Sequence, residues 1–140
     1  MIVLDTNVLS ELMLLAPNQN VVSWLDRQAW PSLWTTSINV FEIRVGIEIL
    51  VHGRRQVTLA RAFEEILNNM KQQILFFDTE AAEQASALTA LRKRRGRPRE
   101  LRDTMIAGIV VSRHATLATR NVRDFDDISA LVVDPWAGRI

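Results

Sequence analysis

Five short apolar runs constrain the fold of this chain more than any other feature of it: Ile2-Val3-Leu4, Leu33-Trp34-Thr35-Thr36-Ser37, Ile74-Leu75-Phe76-Phe77, Leu117-Ala118-Thr119 and Leu131-Val132-Val133. Each is short, continuous and bounded by turn or cap residues, the pattern of a strand buried on both faces. The stretches between them carry helical spacing, as in Leu59, Ala62, Phe63, Ile66, Leu67 and Met70. Strands alternating with helices predict an α/β fold, a central parallel sheet of about five short strands flanked by helices. Right-handed crossovers would gather the C-terminal ends of all the strands on one edge. With 140 residues and no internal repeat or linker, the chain reads as one domain, 1–140.

The helix boundaries follow from caps and breakers. Asp5-Thr6-Asn7 is a helix-start cluster, and Pro17-Asn18-Gln19-Asn20 is a break. Val21, Val22, Trp24 and Leu25 read as a short helix ending before Pro31. Longer helices are predicted from Asn39 to about His52, from Arg55 to about Met70, from Thr79 to Arg95 and from near Asp103 to about His114. Leu9, Leu12, Leu14 and Leu15, with Trp24 and Trp30 close by, offer more apolar surface than one small sheet covers, which predicts a two-fold dimer.

Four carboxylates stand where such a fold would bring them together. Asp5 follows the first strand, Glu42 lies early in a helix, Asp103 opens another and Asp124 follows the fourth strand. Side chains beyond strand ends converge on the crevice above a parallel sheet. A cap explains Asp5, Asp103 and Asp124 as well as a ligand does. Glu42 is different, because Val45, Gly46 and Ile49 share its helix face and partly desolvate it. Several such carboxylates in one crevice repel one another unless a cation neutralises them. An all-oxygen set suits Mg²⁺ or Mn²⁺; the chain has no cysteine, and His52 and His114 lie near predicted helix C-termini. An aspartyl-phosphate mechanism is excluded, since Asn7 stands where its second aspartate is needed.

The net charge of +1 hides a concentrated basic segment. From Arg92 to Arg102 there are seven basic residues and one acid, which leaves 10 basic and 15 acidic side chains elsewhere. Such a segment favours a polyanion, although a solvated helix end explains the charge equally. Trp30 and Trp34 fit core or dimer burial better than base stacking. No apolar stretch approaches a membrane span and no basic leader precedes the first strand, so no membrane association or secretion is expected. The lack of cysteine is compatible with a cytoplasmic location.

Four motifs in order resemble the PIN domain, and more narrowly the VapC-type toxins of bacterial toxin–antitoxin pairs, including the FitB-like branch. They are Leu4-Asp5-Thr6-Asn7-Val8-Leu9-Ser10, Glu42 with Gly46-Ile47, Asp103-Thr104-Met105-Ile106-Ala107 and Thr119-Arg120-Asn121-Val122-Arg123-Asp124-Phe125. The resemblance runs from Ile2 to Trp136 and implies a PIN-like three-layer fold and Mg²⁺- or Mn²⁺-dependent endoribonuclease activity. Asp5, Glu42 and Asp103 match the acidic metal positions of the family directly. Asp124 is assigned the fourth, with Asn121 as a neutral hydrogen-bonding neighbour, because FitB-like members carry an aspartate at the place of Asn121. Thr6 and Thr119 match hydroxyls lining the site. Arg95, Arg97, Arg99 and Arg102, leading into Asp103, are expected to hold RNA. The resemblance also implies a homodimer and a DNA-binding antitoxin of the VapB or FitA kind, with operator DNA reached only through that partner. A metal-dependent DNA or flap-type nuclease, and a silent partner-binding module, are the rival readings.

Overall fold

The computed structural model describes residues 1–138 of the chain. Its five strands are β1 (Ile2–Leu4), β2 (Leu33–Thr36), β3 (Ile74–Leu75), β4 (Thr116–Ala118) and β5 (Val132–Val133). The six helices are α1 (Thr6–Leu12), α2 (Gln19–Asp26), α3 (Ser37–Glu48), α4 (Arg54–Asn69), α5 (Thr79–Arg94) and α6 (Leu101–Ser112). All strand pairs are parallel, in the order β3-β2-β1-β4-β5. The chain builds outward from β1 to β3, then returns to the other side of β1 for β4 and β5. Connections from β1 and β4 therefore leave in opposite directions, which opens a crevice above their C-terminal ends.

Alternation along the strands divides the core into two layers. Leu4, Leu33 and Ala118 pack with Val8, Leu9, Ile43, Ile47 and Phe63 on the face covered by α1 to α4. Val3 and Leu117 pack with Ala81, Ile106, Ile109 and Val110 on the face covered by α5 and α6. Both faces are buried, as the unbroken apolar runs require.

Several boundaries move from their predicted places for local reasons. Ser37 is helical rather than extended, because the Thr36 side chain caps α3 by accepting from the Asn39 amide. The same helix ends at Glu48 rather than near His52, and Val51 beyond it is 90% exposed, so nothing packs to extend it. β3 stops at Leu75 and Asp78 caps α5; between them Phe76 is exposed while Phe77 packs back against the core. Gly96 follows α5 at φ +68°, a left-handed position that suits glycine at a helix end. The start of α6 lies at Leu101; Glu100 is its cap and accepts from the Asp103 amide, so Asp103 sits in the first turn instead of capping it.

The predicted apolar surplus is exposed in part. Leu14, Leu15 and Trp30 remain exposed, whereas Leu9 is fully buried and Leu12 and Trp24 pack against the core. A second uncovered apolar line runs along α3 to its C-cap, through Phe41, Val45 and Ile49. Among the described residues no helix is long and apolar enough to cross a membrane.

Candidate functional site

Pairing with β4 carries on past the end of β1, where the Asp5 amide donates to the Ala118 carbonyl at 3.0 Å. The Asp5 side chain then turns into the crevice and is only 4% exposed. Its Oδ1 accepts from the Thr6 amide and from Asn39 Nδ2, both at 2.9 Å, and its Oδ2 accepts from the Thr119 hydroxyl at 2.7 Å. Donor and acceptor counts set the direction of each bond. Thr119 Oγ1 already accepts from Asn7 Nδ2 at 3.2 Å and from the Asn121 amide at 3.1 Å, so its one proton goes to Asp5. Thr36 Oγ1 accepts from the Asn39 amide and donates to Asn39 Oδ1 at 2.6 Å, which leaves both Asn39 Nδ2 protons facing the site. The second of them reaches Thr6 Oγ1 at 2.9 Å, and that hydroxyl donates to Glu42 Oε1 at 3.0 Å. One buried amide thus orients two carboxylates.

The electrostatics are those of crowded acids. Burial pushes the Asp5 carboxyl up against its three hydrogen bonds. Burial also raises Glu42, opposed by Thr6 and by Arg102, whose Nη1 lies 3.9 Å from Glu42 Oε2. Asp103 is pushed up to about 6, first by desolvation and then by repulsion from Asp5, Glu100, Asp124 and Glu42. Asp5, Glu42 and Asp103 line a single surface cavity of about 480 Å³, together with Arg120, Asn121 and Trp136.

The remaining sequence-predicted residues take different places. Thr6 lines the same cavity, whereas Thr119 is fully buried beneath it with its proton committed to Asp5. Asp124 sits in the 3₁₀ turn Val122–Phe125, outside the cavity lining, and pairs with Arg99 at 3.5 Å; its charge still reaches Asp103. Arg99 also donates to the Arg123 carbonyl at 2.8 Å. Arg102 bonds Glu100 at 3.1 Å and lies beside Glu42, though neither it nor the exposed Arg95 and Arg97 line the cavity.

Arg92, by contrast, does not belong to a solvated basic run. It is 2% exposed, forks onto both Asp127 oxygens at 2.9 and 2.8 Å and donates to the Thr104 hydroxyl at 2.9 Å. Asn39 and the pair of Arg120 and Trp136 were not singled out from the sequence. Asn39 did carry a signal, because it precedes Glu42 by three residues and so shares its helix face.

Among the described residues no three carboxylate or imidazole groups stand together as a ready-made cage. A magnesium ion keeps several waters and needs only one or two protein carboxylates. Hard oxygens whose mutual repulsion raises Asp103 are the donor set that such a cation relieves, so Asp5, Glu42 and Asp103 could hold one.

Comparison with known proteins places this geometry among relatives. Residues 2–131 match the PIN domain. The chain is 33% identical to VapC ribonuclease Y4jK of Sinorhizobium fredii over 97% of its length and 98% of the relative. It is also 33% identical to Toxin FitB of Neisseria gonorrhoeae, covering 97% of this chain and 99% of that one. A solved structure of FitAB bound to a DNA fragment superposes at a TM-score of 0.91 and 32% identity, covering 100% of this chain and 99% of that one.

Proposed function

Because this chain belongs to the PIN-domain family, we propose that it is the toxin of a toxin–antitoxin pair and an endoribonuclease dependent on Mg²⁺ or Mn²⁺. The observation that carries the reading is the convergence of Asp5, Glu42 and Asp103 on one cavity, with Asp103 raised to about 6. When bound there, a divalent cation supplies Lewis-acid polarisation of the phosphoryl oxygen and a more acidic water. The chain's own residues hold the carboxylates in place. Thr119 and Asn39 fix both oxygens of Asp5, and Thr6 fixes one oxygen of Glu42. Asp124 adds negative charge from the side. Arg95 and Arg97 on the exposed loop, with Arg102 beside Glu42, attract and hold the RNA backbone.

The relatives support the partner assignments. FitAB is a complex solved on DNA, and we assign this chain a corresponding DNA-binding antitoxin, through which it would reach operator DNA. The same reading makes the toxin a homodimer acting in the cytoplasm. The test is cleavage of single-stranded RNA by purified protein with Mg²⁺, with chelator, and as Asp103→Asn, each in competition with a matched DNA strand. Cleavage of RNA that chelator and Asp103→Asn both abolish is expected. Undiminished cleavage in chelator or in the variant would overturn the metal-centred site, and preferential cleavage of DNA would replace RNA as the substrate.

A further inference from the structure

Two arginines stand beside the acids of the cavity, Arg120 in its lining and Arg102 next to Glu42, and they are held in opposite ways. Arg102 is tied to carboxylates, Glu100 at 3.1 Å and Glu42 at 3.9 Å. Arg120, which leads away from β4, is exposed and has no carboxylate partner among the described residues, although acids line the same cavity. Its Cζ lies 5.2 Å from the centroid of the Trp136 ring instead. That distance is within cation–π range.

Both members of this pair are anchored. The Arg120 amide donates to Asn7 Oδ1 at 3.2 Å. Trp136 lies in the 3₁₀ turn Pro135–Ala137; its amide donates to Asp134 Oδ1 at 2.9 Å, and its carbonyl accepts from Asn20 Nδ2 at 3.0 Å. The indole packs against the core on the α1–α4 side, so it is a fixed shelf.

Beyond this contact the Arg120 guanidinium has no hydrogen bond or ion pair among the described residues, so its N–H fork is open to a partner. A fork in that state is ready for a bidentate oxyanion, and a phosphodiester presents one. We infer that Arg120, held in cation–π contact with Trp136, is a phosphate-binding site for single-stranded nucleic acid, taking a backbone phosphate beside the scissile one. This rests on the nuclease reading above. Arg120 contacts the substrate, whereas Trp136 is a positioning residue that acts through it. The nucleic-acid strand then has cations at two borders of the acidic centre, Arg102 at one and Arg120 at the other, which holds it across the carboxylates.

The experiment measures binding of a short labelled single-stranded RNA across a salt series in the Asp103→Asn background, where substrate is not consumed. Steady-state cleavage is followed in the otherwise wild-type protein. Arg120→Gln should weaken binding about tenfold and flatten the slope of log K against log salt by about 0.7, the loss of one single-strand phosphate contact. Its KM should rise with little change in kcat. Trp136→Leu should weaken binding while keeping the slope, since the charge remains and only its placement is lost. Arg120→Gln alters an exposed side chain, so it stays informative even if Trp136→Leu fails to fold. Wild-type affinity and slope in Arg120→Gln, with RNA still cleaved, would overturn the assignment alone and leave the pair as a protein-docking surface. RNA neither bound nor cleaved by the wild type would remove the nuclease reading and this inference with it.

Discussion

Two neighbouring aspartates that look equivalent in sequence differ in what surrounds them. Asp5 is encased in donors, and an amide there would turn its NH₂ toward Thr119 Oγ1, an oxygen whose lone pairs are already taken by Asn7 and Asn121. Asp5→Asn should therefore cost about 1–3 kcal/mol of stability as well as cleavage, because a buried donor is left unpaired. Urea unfolding with Asp5→Asn beside wild type checks it, and equal midpoints would contradict the bond directions given above. Asp103 is the reverse case. Its carboxyl is raised from 3.8 to about 6, so the folded state binds the proton more tightly than the unfolded one. Metal-free stability then falls as pH rises through that window, and the penalty is complete above it. Asp103→Asn should stabilise the metal-free protein by about 1 kcal/mol at neutral pH, a figure discounted for partial exposure, and by nothing below about pH 4. A pH series of urea midpoints reads this directly; a gain that grew toward acid would have the wrong sign. Asn39, which serves both Asp5 and Thr6, should be intolerant of Asn39→Asp, which replaces two donors with a buried like charge.

Helices α5 and α6 meet through their smallest side chains, and this contact sets where Asp103 stands. A Cβ placed on Gly108 would lie 2.5 Å from the Ala81 carbonyl oxygen and 2.8 Å from Ala85 Cβ. A backbone oxygen cannot swing aside, so Gly108→Ala should force the helices apart and cost about 1–3 kcal/mol. Thermal or urea unfolding tests this, and Ala85→Gly in the same chain should recover only part of the loss because the carbonyl remains. Arg92 adds a second tie, joining α5 to Thr104 on α6 and to Asp127 beyond the turn that bears Asp124. The sequence disclosed the elements that announce themselves by burial on both faces: all five strands and every long helix were legible within a few residues. The convergence of Asp5 and Asp103 on one cavity was likewise legible, from a strand end and a helix start. Glu42 reached the same cavity for a different reason than its helix neighbours suggested, since Val45, Gly46 and Ile49 are exposed and the Thr6 hydroxyl is what holds it. What stayed hidden depends on partners distant in the chain. Arg92 looks like its basic neighbours until Asp127 is brought to it, 35 residues on. Nothing local distinguishes Arg120, since its cation–π partner Trp136 lies beyond β5.

Across the whole molecule, the surface left uncovered by the fold is as informative as the core. Phe41, Val45 and Ile49 are 56%, 39% and 77% exposed and recur every fourth residue, so they form one line along the outside of α3. Contiguous apolar surface of this kind on a small protein marks an interaction site more often than chance exposure does. The adjacent residue Glu42 lines the acidic cavity, so the helix turns one face to the cavity and leaves another uncovered. A homodimer that buries this line against its two-fold copy is self-complementary, as an isologous interface must be. Wild-type protein should then sediment as a dimer at micromolar concentration, and Ile49→Glu should shift it to monomer by placing two like charges across the axis. Because Ile49 is mostly exposed in the single chain, the same change should alter monomer stability by no more than about 0.5 kcal/mol. Sedimentation of Ile49→Glu as an undisturbed dimer would move the interface off α3. A wild type that is monomeric throughout would instead leave the line to another partner, and cleavage per chain in Ile49→Glu would then match wild type.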